Sequence, residues 1–194
     1  MTRKCVVFIC TANRCRSLLA EYCLREMLAG KPWGDAVEVV SAGILSDAYW
    51  EFLCRFQIAH GRSLAREHFY GVPPYPTTLA CLKKRGWDAR DYRSQAFTPA
   101  LARKAALVVA MEEAQKEVLL ASYPELAGRV LTLRELAGEG GPLLLEESYY
   151  PLQFNPADPH YVYYSEEYVE DSYREIERCL AKGLERLATL LGVG

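Results

Sequence analysis

The sequence predicts an α/β fold: a single three-layer domain over residues 1–194, with a central four-stranded parallel sheet, helices on both faces and an inserted helical segment after the second strand. Three observations carry that expectation. Short β-branched and aromatic runs recur without polar alternation, as strands buried on both faces require. They alternate with longer segments whose apolar residues fall at helical spacing. No internal repeat or low-complexity tract breaks the order, and 194 residues at 51% hydrophobic and 25% charged suit one soluble domain.

Val6 to Ile9 reads as the first strand, ending at Cys10. From Ser17, the residues Leu18, Leu19, Tyr22, Cys23 and Met27 recur at helical spacing until Gly30 and Pro32 close the segment. Val37 to Val40 is the second strand, and strand, helix, strand in this order predicts a right-handed parallel crossover. An insertion at about 45–70 mixes aromatic and charged residues and reads as one or two helices broken at Gly61. Tyr75 to Arg85 is a helix ended by Gly86. Thr98 followed by Pro99 signals the cap and first turn of a short one. Ala106 to Ala110 is the third strand, Glu112 to Ala121 a helix and Arg129 to Leu133 the fourth strand. A longer loop at about 138–154 opens an irregular segment reaching His160, and a final helix runs from about Glu166 to Leu191.

Composition removes several function classes. A net charge of -2 supplies no basic face for nucleic acid. The longest apolar run, Ala105 to Met111, is far short of the ~20 residues of a bilayer helix, so no membrane insertion is expected. The N-terminal apolar stretch, Cys5 to Cys10, is too short for a secretion signal, and the expected location is the cytoplasm. Seven cysteines without a C-x-x-C pair, and only 3 histidines, make a zinc site or a disulfide framework a poor expectation. Reactivity is the remaining reason to follow any one thiol.

That reason appears between the first strand and the first helix, which reads Cys10, Thr11, Ala12, Asn13, Arg14, Cys15, Arg16, Ser17: the pattern C-x5-R-S. The spacing alone is weak, and the context gives it weight. A loop leaving a buried strand and entering a helix can ring an anion with backbone N–H groups at the positive end of that helix. The planar fork of Arg16 can grip two oxygens of a phosphate held there. The same field favours a thiolate at Cys10, facing the bound phosphoryl group for in-line attack, and Ser17 can hydrogen-bond the sulfur. The bland alternative makes Cys10 and Cys15 small buried hydrophobes and Arg16 a solvated helix residue. Hydrolysis would also need a proton for the leaving group, which Asp158, in a proline-stiffened loop, can supply.

With these residues in view, the chain resembles the low-molecular-weight protein tyrosine phosphatases. Val7 to Ser17, with Ala20 and Glu21 on the helix, is similar to their N-terminal pattern. Ser41-Ala42-Gly43 resembles the second-strand exit, Gly86-Trp87-Asp88 and Arg93-Ser94 the middle segment, Ala106 to Met111 the next strand, and Asp158-Pro159 the late general-acid motif. The resemblance covers most of the chain outside the two insertions. It implies a cofactor-free, metal-free hydrolysis of phosphotyrosine in protein substrates. In it Cys10 is the nucleophile, Arg16 the phosphate binder and Asp158 the acid and then the base. Thr11, Ala12, Asn13, Arg14, Cys15 and Ser17 form the phosphate-binding loop, with Asn13 and Ser41 bracing it. Cys15 is a candidate redox partner of Cys10, against a buried structural thiol. Tyr49, Trp50, His160 and Tyr161 are candidate walls of a substrate pocket. Against the pocket reading, helical spacing favours an amphipathic helix extending the core for the segment around Tyr49 and Trp50, and His160 is read as a solvated loop residue ahead of a second proton donor.

Four departures from the family pattern carry expectations. Ala12 stands where glycine is common, so the loop must tolerate a Cβ there, and a positive φ would cost about 1 kcal/mol. Leu18 replaces a frequent proline at the helix start. Arg14 occupies a rim position, as a solvated loop arginine or as an attractor of acidic sequence around a phosphotyrosine. Tyr92 replaces a basic or histidine brace, which predicts weaker bracing. Competing functions are a thioredoxin-coupled arsenate reductase, a phosphocysteine carrier, and a non-catalytic phosphotyrosine-binding protein. The reductase lacks its shuttle cysteines, since no cysteine lies between Cys81 and Cys179. Oligomeric state has no signature in the chain.

Overall fold

Strand β1 (Lys4–Cys10) lies at the centre of a four-stranded parallel sheet of order β2-β1-β3-β4, with β2 at Val37–Gly43, β3 at Ala105–Ala110 and β4 at Val130–Thr132. The structure is a computed structural model and describes residues 3–141, 153–154, 157–158, 160 and 162–194. The predicted architecture holds. Because side chains alternate along a strand, β1 feeds two cores. Val6, Phe8 and Cys10 pack with one set of helices, and Cys5, Val7 and Ile9 with the other. Each fully buried large side chain among them contributes about 1.5–3 kcal/mol relative to exposure.

The first core is closed by α1 (Arg16–Ala29), α3 (Pro76–Lys84) and the long α7 (Glu166–Leu191). The second is closed by α4 (Pro99–Lys104) and α5 (Glu113–Ser122). In α7, Val169, Ile176, Cys179, Leu180, Leu187 and Leu191 are buried at helical spacing, and Gly192 takes the left-handed cap at φ 65. Gly183 is required by packing: a Cβ there would come within 2.8 Å of the Leu136 carbonyl oxygen.

The insertion forms α2 (Asp47–Ala59), whose cap residue Ser46 accepts a hydrogen bond from the Tyr49 N–H at 3.1 Å. It ends at Ala59, two residues before the predicted break at Gly61, which takes φ 68. A single helical turn, α6 (Leu133–Leu136), was not expected, although Thr132 and Glu135 spell its capping box. A two-residue antiparallel ribbon, β5 (Gln153–Phe154) with β6 (Val162–Tyr163), lies in the segment read as irregular; two residues are too few for a periodic signal.

The strand order fixes where a ligand can bind. From β1 the chain crosses to β2 on one side, then returns to β3 on the other. The loops leaving β1 and β3 therefore diverge at the carboxyl edge of the sheet and open a crevice.

Candidate active site

The loop leaving β1 turns through Asn13, the one non-glycine residue at positive φ (55°) among the described residues. Ala12 therefore avoids the positive φ that would have strained it, and the left-handed position falls on Asn13, an amino acid that tolerates that region. Asn13 is buried, and its amide is fully used. Its Oδ1 accepts from the Gln95 backbone N–H at 2.9 Å and from the Tyr92 hydroxyl at 2.6 Å. Its Nδ2 donates to Ser17 Oγ at 3.0 Å and Ser41 Oγ at 2.9 Å. The Gln95 N–H can only donate, which fixes the orientation of the Asn13 amide. Ser41 donates in turn to the buried Glu21 carboxylate at 2.6 Å.

That order of protons reaches the sulfur. Ser17 Oγ lies 3.0 Å from Cys10 Sγ, and with Asn13 already donating to Ser17, the Ser17 hydrogen is left for the sulfur. Burial pushes the Glu21 carboxyl up, partly offset by Ser41 and Arg25. Tyr92 was expected to weaken the bracing and instead supplies it, touching both Asn13 and Ser41 (3.0 Å). A phenol can reach the same acceptor without carrying a charge.

Cys10 is 4% exposed and lies in a small cup with Thr11, Ala12, Arg14, Cys15 and Arg16 from the loop and Tyr49, Tyr75 and Tyr164 around it. Arg16, the first residue of α1, is buried and turned inward, paired with Glu112. The bland reading of a solvated Arg16 fails. Glu112 was read only as a helix start; its signal was its place at the carboxyl end of β3, beside the crevice. Gln115, one turn on, donates to Thr11 Oγ1 at 3.3 Å, and the Tyr70 hydroxyl donates to the Thr11 carbonyl at 3.0 Å. Tyr70 and Gln115 gave no sequence signal, since both reach the loop through tertiary packing.

Arg14 corrects another expectation. It is 1% exposed, and its Nη1 and Nη2 donate to Asp158 Oδ1 and Oδ2 at 2.8 and 2.5 Å. Its Nε donates to the Pro73 carbonyl at 2.7 Å, and its Cζ lies 3.9 Å over the Tyr75 ring. Asp158, 4% exposed, also accepts the His160 N–H at 2.8 Å. His160 is not a solvated loop residue. Its ring stacks on Phe69 at 4.5 Å, Nε2 meets the Phe69 carbonyl at 2.8 Å, and its own carbonyl accepts from Gln57 Nε2 at 3.1 Å. Burial, reinforced by Arg14, lowers the His160 pKa to about 4, so near pH 7 the ring is neutral and its N–H is spent on Phe69.

Of the remaining candidates, Tyr49 reaches the cup, whereas Trp50 packs edge-on against Phe69 at 6.2 Å. Tyr161 lies outside the described residues. Helix α2 buries Leu53 and Gln57 and exposes Phe52 and Ile58, so its inward face extends the core while its first turn walls the cup. Cys15 is a free, buried thiol pushed up to about 12 by burial. Cys5, Cys23, Cys81 and Cys179 are buried as well, as packing predicts, and Cys54 is half-buried. Among the described residues the acidic and thiol groups close enough to share an ion are Glu139, Glu175 and Cys179. Arg134, Arg178 and Lys182 already occupy those carboxylates at 3.3, 2.6 and 2.8 Å, so the cluster offers a metal little.

Comparison with known proteins bears on this geometry. Residues 5–51, which hold the loop, match the family model for low molecular weight phosphotyrosine protein phosphatase. Low molecular weight protein-tyrosine phosphatase A of Mycobacterium bovis is 33% identical over 147 residues, covering 75% of this chain and 76% of that one. The chain belongs to the low-molecular-weight protein-tyrosine-phosphatase family. A second family relative, the probable phosphatase EpsP of Ralstonia nicotianae, is 27% identical over 157 residues, covering 81% and 79% of the two chains. The family fold is also found in a T. tengcongensis low molecular weight protein tyrosine phosphatase (TM-score 0.66, 24% identity, 94% and 99% covered). It recurs in the YwlE arginine phosphatase from Geobacillus stearothermophilus (TM-score 0.66, 23% identity, 96% and 94% covered).

Proposed function

We propose that this phosphatase hydrolyses phosphotyrosine in proteins through a phosphocysteine on Cys10. The observation that carries the reading is that one loop sets Cys10, with its Ser17 donor, and the buried Arg16 at a single cup, while Asp158, from far along the chain, reaches the same loop through Arg14. The Cys10 thiolate attacks phosphorus and the P–O bond breaks. The leaving phenolate takes its proton from the Asp158 carboxyl. Water then attacks the phosphocysteine, Asp158 accepts a water proton, and the S–P bond breaks to return the thiolate and release inorganic phosphate. Ser17 stabilises the sulfur as it departs. Arg16, freed from Glu112 by a more strongly charged partner, and the loop amides hold the equatorial oxygens. Cys15, in the same loop, is the candidate disulfide partner that would shield an oxidised Cys10. The chemistry needs reduced thiols, which suits a cytoplasmic enzyme.

The test is hydrolysis of 4-nitrophenyl phosphate and a phosphotyrosine peptide. Cys10→Ser is expected to abolish turnover, and Asp158→Ala to lower kcat by about 10²–10⁴-fold. Wild-type rates in Cys10→Ser would reject the mechanism.

A further inference from the structure

Arg14 lines the cup and holds the acid that the proposed reaction needs free. Both oxygens of Asp158 face guanidinium N–H groups, and Oδ1 has a second donor in the His160 backbone. A carboxyl that is to protonate a leaving oxygen must present an O–H toward the cup. With Arg14 in place, both acceptor directions of Oδ1 and one of the two on Oδ2 are taken, and the two-point fork holds the carboxyl turned toward Arg14. The space left inside the cup is about 10 Å³, the room of one water. The contact that ties up the acid is made by a residue that also lines this small space.

The guanidinium is poorly placed to withdraw. Its Nε is held by the Pro73 carbonyl, its face lies on Tyr75, and it is shut off from solvent. Leaving such a buried charge without a counter-ion is strongly unfavourable, whereas exchanging one carboxylate for another preserves the planar two-point match. The cheapest way to free Asp158 is to bring a second carboxylate to Arg14.

Resting on the phosphatase reading, we propose that Arg14 is a latch on Asp158, opened by an acidic side chain next to the phosphotyrosine of the substrate. That carboxylate takes over the Arg14 fork, and Asp158, released, swings to face the leaving oxygen. Arg14 is then a positioning and specificity residue that selects acidic phosphotyrosine sequences by switching on the acid, so the selection falls on kcat as well as KM. A rim charge that merely attracted substrate would change KM and the association rate instead.

The test compares 4-nitrophenyl phosphate with two phosphotyrosine peptides, one flanked by glutamate and one by alanine, using wild type, Arg14→Met and Arg14→Gln. Wild type is expected to turn over the glutamate peptide with a kcat about tenfold above the alanine peptide, a change equivalent to one charge-assisted contact. Either variant is expected to bring the two kcat values within about twofold, by raising that of the alanine peptide. Equal kcat for the two peptides in wild type overturns the latch without any variant. So does a kcat preference that survives in Arg14→Met or Arg14→Gln. Failure of the phosphatase reading looks different: wild type would not hydrolyse 4-nitrophenyl phosphate at all, or Cys10→Ser would hydrolyse it equally well.

Discussion

Asn13 is the residue on which the shape of the cup depends, and replacing it separates two contributions. Asn13→Ala removes four hydrogen bonds, to Gln95, Tyr92, Ser17 and Ser41. At about 0.5–1.5 kcal/mol net apiece these sum to roughly 2–6 kcal/mol. An alanine Cβ held at φ 55 adds about 1 kcal/mol. Because Tyr92 and Ser41 keep each other as partners, a loss of about 3–5 kcal/mol in unfolding free energy is expected. Asn13→Gly loses the same bonds but takes the left-handed conformation freely, against a larger unfolded-state entropy. It should be more stable than Asn13→Ala by about 0.5–1 kcal/mol. Urea titration gives both numbers. Both variants should also lose about 10–10² in kcat/KM on 4-nitrophenyl phosphate, because Ser17 is no longer aimed at the sulfur and the loop amides shift. An Asn13→Ala protein within 1 kcal/mol of wild type, with unaltered kcat/KM, would refute the bracing argument. Equal stability of the alanine and glycine variants would refute the strain.

The other expectations follow from single residues. The folded pKa of His160 lies near 4, below its ordinary 6.5, so its burial is fully tolerated above pH 6.5 and costs stability as pH falls from 6.5 toward 4, where the unfolded chain binds a proton that the native one refuses. That linkage is worth up to roughly 3 kcal/mol, and the stability difference between wild type and His160→Gln should shrink by about that much between pH 7 and pH 4; a difference independent of pH contradicts it. At Gly43, an added Cβ would fall 2.5 Å from Tyr70 Cε1 and 2.6 Å from the Thr11 carbonyl oxygen. Gly43→Ala should therefore lose about 1–3 kcal/mol and lower kcat/KM by moving Thr11, with Tyr70→Leu restoring only part because the carbonyl clash stays; full restoration, followed by urea titration and aryl phosphate kinetics, would contradict that.

What the sequence disclosed and what it concealed divide along a physical line. Strand β1, the turn after it and helix α1 are contiguous, so their burial pattern and the C-x5-R-S spacing appear within residues 4–29, and Cys10, Asn13, Arg16 and Ser17 fall where they were expected. The four strands were legible for the same reason, because each buried run is complete in itself, whereas their order in the sheet was not read from the sequence. Pairings across the chain were not. Arg14 meets Asp158 across 144 positions, and Arg16 meets Glu112 across 96. A lone arginine on a loop carries no mark of its partner, and exposed charge is the commoner state, so solvation was the natural expectation for Arg14. Tyr92 was misjudged because a brace was equated with a charge, when the acceptor it serves, Asn13 Oδ1, asks only for a donor hydrogen at the right distance. His160 was misjudged because proximity in sequence to Asp158 suggested shared solvent, whereas Phe69 and Gln57, brought in by the insertion, bury it. The insertion thus does more than lengthen the core. By holding His160 through Gln57, it fixes the backbone N–H that Asp158 accepts, so the placement of the proposed acid depends on helix α2.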